Sequence, residues 1–329
     1  LAHDTHIVDL EEMAALEPLT NPLLWWASVK AVQILQFYRC GIRMRLENAP
    51  AFDEPVLFAM NHSHLYDFVP TKTELYARHG VRTSSLIKYR AFQLPLQAAY
   101  MSRTGNIAIT SRGYLIAADF ARVHGRKLDM DEYRVLRDHI DGGTDLPDDP
   151  RYQTLLTQAR DMLGLRFDPS EVAYREMIGR CYRKAMRTTM AHARVVLDAG
   201  DSLHIYPEGL CSSRLSRGRT GTIQMAAELG TTIVPLGLSG MNRLYHPKTL
   251  FPHQGGELTL RFGEPYRLQR PELEGLTAFD PEQEQRLRPV LEEETERLMD
   301  RINALLDDDC ARGDDLEGDG LKGIARFFD

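Results

Sequence analysis

The run Val56–Met60 (Val-Leu-Phe-Ala-Met) is apolar at every position. A strand covered on both faces shows no polar alternation, so this run predicts a buried strand, here bounded as Pro55–Asn61. On either side the pattern changes. Arg43–Glu47 and Leu258–Phe262 alternate polar and apolar residues, as half-buried strands do. Thr83–Lys88, Ser202–Tyr206 and Thr232–Leu238 predict further strands, and Pro235 marks an edge or a bulge in the last of them. Gly105–Arg112 reads as a short strand delivering an arginine.

Helical spacing separates these strands. Phe68–His79 predicts a helix with Pro70 near its start, and Phe92–Tyr100 one interrupted near Pro95. Asp168-Pro169-Ser170-Glu171 is a helix start, followed by an apolar stripe from Met177 to Leu197 that ends at Gly200. Thr222–Leu229 closes at Gly230. Asp280-Pro281 opens a C-terminal helix with Leu287, Leu291, Leu298, Ile302 and Leu305 at helical spacing. Strands separated by helices predict an α/β class, with a mixed, largely parallel central sheet flanked by helices.

The 329 residues allow one large or two ordinary domains with an ample core. Three regions are expected. Residues 1–40 begin irregular and acidic; Asn21-Pro22 then opens an apolar segment, Leu23–Tyr38, with Trp25 and Trp26 near its start. Polar residues interrupt it too often for a spanning helix, which needs about 20 apolar residues. Paired tryptophans suit an amphipathic helix at a membrane surface; a helix packed on the core is the other reading. Residues 41–270 hold the sheet, with a helical insertion or lid at about 113–170 that includes the loop Asp141–Pro150. Residues 271–329 form the C-terminal helix and an acidic tail (Asp307, Asp308, Asp309, Asp314, Asp315, Glu317), read as solvated.

Charge and cysteine usage narrow the function. A formal net charge of −7 argues against a nucleic-acid partner. The four cysteines form no CxxC pair and have no histidines at zinc-ligand spacing, so reduced thiols and a cytoplasmic setting are expected, with no metal. No secretory signal is visible, and the chain starts at Leu1 rather than Met, which leaves room for residues upstream.

The candidate chemistry follows the buried strand. Asn61-His62-Ser63-His64-Leu65-Tyr66-Asp67 places a carboxylate five residues after a histidine. If a helix begins after Ser63, Asp67 lies in its first turns and can fold back onto His62. A carboxylate on one ring nitrogen fixes the tautomer and leaves the other nitrogen as a base for a hydroxyl.

Four stretches then stand in one order: His62-x4-Asp67, the strand leading to Arg112, Tyr206-Pro207-Glu208-Gly209, and Ile233-Val234-Pro235-Leu236. The chain resembles the glycerolipid acyltransferase superfamily of lysophosphatidic acid and glycerol-3-phosphate acyltransferases, over about residues 40–266. The resemblance implies direct transfer of a fatty acyl group from acyl-CoA or acyl carrier protein to a hydroxyl of a lysophospholipid or glycerolipid-type acceptor. It gives His62 as general base and Asp67 as its orienter, with no metal or cofactor beyond the thioester co-substrate. Glu208, Gly209, Ser212, Arg112 and Arg214 become acceptor-site candidates, and Val234 and Pro235 support the acyl side. It also implies a protein peripheral to the inner, cytoplasmic face of a membrane.

Two blocks depart from the family pattern. Leu210 and Cys211 stand where Thr and Arg usually follow Glu-Gly, and Arg112 comes one residue late after Thr110-Ser111. Moving a guanidinium along a strand displaces it by about 3.3 Å per residue. Either loop geometry restores a phosphate clamp through Arg112, Arg214 or Arg217, or the acceptor lacks the usual phosphate.

Other readings are weaker. His62-Ser63-His64 invites a metal site, but Asp67 falls one residue late for the dinuclear hydrolase pattern. Gly237-Leu238-Ser239-Gly240-Met241 lacks the closing glycine of a nucleophile elbow. Cys211 sits in a suggestive loop, but no base for it is identifiable from sequence. A non-catalytic, membrane-recruited lipid-binding protein on the same fold is the alternative from another class.

Overall fold

The computed structural model describes residues 9–246 and 249–313. Seven strands form one sheet: β1 (Ile42–Glu47), β2 (Leu57–Met60), β3 (Thr83–Lys88), β4 (Ile107–Ile109), and, after a separate hairpin β5 (Arg160–Met162) and β6 (Leu165–Phe167), β7 (Ser202–Ile205), β8 (Ile233–Ser239) and β9 (Gly256–Phe262). The strand order is β1-β9-β8-β2-β7-β3-β4. Every neighbouring pair is parallel except β8 with β9. The sheet is therefore mixed and largely parallel, as the pattern of the sequence predicts.

The apolar run becomes β2, which lies between β7 and β8 near the middle of the sheet. Both faces are covered. Leu57 and Ala59 pack with the helices Tyr174–Asp198, Gly221–Leu229 and Pro281–Asn303 on one side, and Phe58 and Met60 pack on the other with Leu75 of the helix Phe68–His79. Each of these β2 side chains is fully buried. Burying one large apolar side chain contributes about 1.5–3 kcal/mol, which explains why no polar residue interrupts the run.

Pro235 lies in a central strand, not at an edge. Ile233 bridges Tyr266 while Leu236 pairs with Phe262, so three steps along β8 oppose four along its partner. That slip is a bulge, and it lies where a residue without an N–H breaks the ladder. The N–H of Gly263 donates to the Pro235 carbonyl at 2.8 Å.

From Asp9 onward the N-terminal region is more ordered than its composition suggests. Leu10–Ala15 is helical, capped by Asp9, and Leu10 and Met13 are buried. The segment after Asn21 forms the helix Pro22–Val32, continued as π-helix over Gln33–Arg39. Trp25 and Val29 are buried, with the Trp25 ring edge-on to Tyr76 at 6.2 Å. The opposite face leaves Leu23, Trp26, Ile34 and Tyr38 exposed. Of the acidic tail, Asp307, Asp308 and Asp309 are described, and Asp307 pairs with Arg261 at 2.8 Å; Asp314, Asp315 and Glu317 lie outside the described residues.

The region 113–170 comprises the helices Arg112–His124, Met130–Gly142 and Pro150–Thr157 and the β5–β6 hairpin. Its residues Leu115, Phe120, Tyr133, Leu136, Leu155, Met162 and Phe167 share one core with Tyr174, Met177 and Ile178. The hairpin was not legible in the sequence, because three-residue strands carry too little alternation to register. Asp119 is fully buried and accepts from Arg160 at 3.0 and 2.6 Å, tying the helix to the hairpin. Asp119→Ala leaves that guanidinium buried without its partner, and should destabilise the protein by about 3–5 kcal/mol. The urea midpoint measures this; an unchanged midpoint would show that the pair is not structural.

Candidate active site

His62 emerges just beyond the C-terminal end of β2, and Tyr206-Pro207-Glu208-Gly209 beyond the end of β7. These strands are parallel neighbours, with Ala59 opposite Ile205, so both loops open on the same edge of the sheet. In open α/β sheets that edge is where ligands bind. Asn61 fixes the exit of β2. Its amide donates to the Leu238 carbonyl at 3.0 Å and its side-chain oxygen accepts from the Leu238 N–H at 2.8 Å.

The helix after the motif begins at Phe68, later than the expected start after Ser63. Asp67 occupies the N-cap position but does not cap it. Instead a tight turn, closed by the Asp67 N–H on the His64 carbonyl at 3.3 Å, returns its carboxylate to the histidine. One oxygen receives the His62 Nδ1 at 3.0 Å and the His64 N–H at 3.2 Å; the other accepts from the Tyr206 hydroxyl at 2.5 Å. Asp67 is inaccessible, whereas 14% of the His62 side chain is exposed. The His62 ring stacks on Tyr206 with centroids 3.9 Å apart. Burial alone would lower the His62 pKa. The adjacent Asp67 charge and hydrogen bond outweigh it, Cys211 adds to them, and the value rises to about 10.

The second loop is zipped onto His62 through the backbone. Glu208 is buried; it accepts from the His62 N–H at 2.7 Å through one oxygen, and from the Ser216 N–H and hydroxyl at 2.8 and 2.6 Å through the other. Burial pushes its pKa up, against these hydrogen bonds. With both oxygens engaged, Glu208 ties the His62 backbone to Ser216. The buried Ser212 donates its backbone N–H to the His62 carbonyl at 2.8 Å. Gly209 adopts φ +68°, which the turn requires of it. This docking brings the Cys211 Sγ to 2.9 Å from the outer ring nitrogen of His62, Nε2.

The arginines divide. Arg112 is the first residue of its helix, pairs with Asp141 at 3.1 Å and lies over the Tyr182 ring. Arg214 donates to the carbonyls of Ala311 and Asp308 at 3.0 and 2.8 Å, holding the chain after the C-terminal helix. Arg219 lies over the Pro-Glu-Gly turn. Its Nε is 3.3 Å from the Glu208 carbonyl, and a Cβ on Gly209 would meet its Cδ at 3.3 Å. No carboxylate pairs with Arg219 among the described residues.

The other candidates are accounted for by packing. His64 Nε2 bonds the His246 carbonyl at 2.9 Å and its Nδ1 accepts from the Tyr66 N–H at 3.2 Å, so both nitrogens serve the backbone. No group of metal-ligating side chains occurs among the described residues. Ser239 is fully buried and accepts from the Asp307 N–H at 3.0 Å, which removes it as a nucleophile. Val234 and Pro235 sit within β8, Val234 opposite Phe58 and Pro235 opposite Ala59. Tyr206, Cys211 and Arg219 are the site residues missed in sequence. In sequence Tyr206 showed only as part of a motif, Arg219 only as a charge and Cys211 as a thiol in a suggestive loop, whose base is the histidine already identified.

A family model described as Acyltransferase matches residues 42–136 and 175–239, which contain both loops. The chain carries an acyltransferase domain and is an acyltransferase. The interval between the matched segments, 137–174, holds the Pro150–Thr157 helix and the β5–β6 hairpin. Among solved structures, the crystal structure of the 1-acyl-sn-glycerophosphate (LPA) acyltransferase PlsC from Thermotoga maritima is similar at 14% identity and a TM-score of 0.42, over 90% of this chain and 80% of that one. No curated protein matches the chain.

Proposed function

We propose that the protein moves a fatty acyl group from acyl-CoA or acyl carrier protein to a hydroxyl of a lysophospholipid or glycerolipid-type acceptor. The observation that carries this reading is the His62–Asp67 pair at the C-terminal edge of an acyltransferase sheet. Asp67 holds the Nδ1 proton, which leaves Nε2 as the nitrogen that exchanges a proton with the reacting groups. Nothing in this chemistry calls on a metal or a bound cofactor. Glu208, Gly209 and Ser212 shape the loop against His62, and Arg219 supplies the guanidinium for an acceptor phosphate, in place of Arg112 and Arg214.

Contact with the inner face of a membrane belongs to the same proposal. Leu23, Tyr38 and Leu96 are 73%, 89% and 88% exposed, and Trp26, Leu65, Leu94 and Phe251 are also open. The N-terminal helix, Tyr100, Leu250 and Phe251 line an apolar groove. Such surface favours a lipid interface. No helix among the described residues is long and apolar enough to cross a membrane.

A phosphate-free acceptor is the second reading, favoured by the engagement of Arg112 and Arg214 elsewhere. A panel of lysophosphatidate, glycerol 3-phosphate and phosphate-free hydroxy lipids, offered with each thioester donor, separates the two. On the phosphate reading, Arg219→Ala raises KM for the phosphate acceptor about 10- to 100-fold with kcat little changed, the loss of a charge-assisted hydrogen bond of about 1.5–3 kcal/mol. An unchanged KM, or transfer only to phosphate-free acceptors, would overturn that assignment.

A further inference from the structure

We propose that Cys211 is the nucleophile of a two-step transfer, in which the acyl group passes first to its sulfur and then to the acceptor hydroxyl. The inference rests on the acyl-transfer reading and changes its route. Cys211 Sγ, His62 Nε2, His62 Nδ1 and Asp67 Oδ2 form one line of contacts, at 2.9 and 3.0 Å across the ring. Nucleophile, base and orienter stand in the order that thiol acyl chemistry requires.

The line is held from several sides. Tyr206 stacks on the imidazole and hydrogen-bonds Asp67; the His64 N–H fixes the same carboxylate. On the sulfur side, Ser212 and Glu208 bind the carbonyl and N–H of His62 itself, so the thiol and the ring are fastened to the same peptide units. Cys211 is half-buried, open enough for a thioester to reach it. Cys181 and Cys310 are buried and burial pushes both thiols up, Cys181 to about 12, so they do not compete.

Direct transfer requires the acceptor oxygen to occupy the place beside Nε2 where the sulfur lies. A two-step route uses the observed arrangement as its starting state. In the first step the Cys211 sulfur bonds to the acyl carbonyl carbon, the bond from that carbon to the donor sulfur breaks, and the proton of the Cys211–His62 pair, carried on Nε2, passes to the departing donor thiolate. One thioester replaces another. In the second step the acceptor hydroxyl gives its proton to Nε2 as its oxygen bonds to the acyl carbon, and the carbon–sulfur bond to Cys211 breaks. The pair is restored with its proton, and the sum is thioester plus hydroxyl giving ester plus thiol.

The test uses the full chain with labelled acyl-CoA, and separately acyl carrier protein, in the absence of acceptor. The wild type is expected to gain the mass of one acyl group within a turnover, on the peptide containing Cys211 and cleaved by neutral hydroxylamine. Addition of acceptor should discharge it at the turnover rate. Cys211→Ala should form no adduct and lose transfer by at least about 100-fold, with an unchanged melting temperature. Cys211→Ser keeps a hydroxyl beside His62, and should be slowed comparably. No adduct from either donor, an adduct that is not discharged by an acceptor the wild type esterifies in steady turnover, or full transfer by Cys211→Ala would each overturn the proposal. Full transfer by Cys211→Ala would leave the function proposed above standing. Conversely, acylation of Cys211 with no transfer to any acceptor in the panel would support the thiol's role and overturn the assigned acceptors.

Discussion

His62→Ala is expected to lower acyl transfer by about 10³- to 10⁴-fold while the protein remains folded. A positioned acid–base group contributes about 10²–10⁴ in rate, and this imidazole handles the proton of every reacting group in the site. The fold is spared because His62 supports the neighbouring loop through its main chain. Its N–H binds Glu208 and its carbonyl binds Ser212, and alanine keeps both. Asp67 loses one donor but retains the His64 N–H and the Tyr206 hydroxyl, so its buried charge is not orphaned. Steady-state rates beside a thermal melt check the prediction; a large fall in melting temperature would mean that the ring is structural.

Asp67→Asn should cost nearly as much, about 10³-fold or more, by a different route. The carboxylate accepts from His62 Nδ1 and so keeps the proton there. An amide can turn its NH2 toward the ring and reverse the tautomer, which puts a proton on Nε2 and removes the base; in a comparable triad this costs about 10⁴. The amide also has to serve the Tyr206 hydroxyl and the His64 N–H, which the carboxylate satisfies with acceptors alone. The fold should tolerate an isosteric change better than Asp67→Ala, so rate and stability separate. Comparable activity in Asp67→Asn and wild type would show that the pair does not set the tautomer.

What the sequence disclosed depended on range. The uninterrupted run Val56–Met60, the helix that closes at Gly80 and the carboxylate five residues after His62 are local patterns, and each has its counterpart in the fold. The helix begins at Phe68 because the His64–Asp67 turn intervenes, a detail that the spacing alone left open. The thiol's base was hidden for a different reason. His62 and Glu208 are 146 residues apart, and only the parallel pairing of β2 with β7 brings their loops together. Strand order is not a local property of a sequence, so the contact between Cys211 and His62 could not be read from either motif. The same holds for Arg219. Its charge is visible in the sequence after the Pro-Glu-Gly motif, but its place over the Gly209 turn depends on how residues 210–218 fold back on Pro207, whose carbonyl accepts the Arg219 N–H at 2.9 Å. Arg112 and Arg214 looked equally suitable until the structure paired the first with Asp141 and the second with the carbonyls of Asp308 and Ala311.

On the proposed function, this site carries an acyl group from a thioester to a hydroxyl. The most direct measurement follows a labelled acyl chain from acyl-CoA and from acyl carrier protein into lipid, with wild-type protein and folded His62→Ala side by side. Label is expected in an ester of the acceptor, with one equivalent of thiol released, and both are expected to be lost in the variant. Equal ester formation by the two proteins, or thiol release with the label recovered only as free fatty acid, would contradict that function.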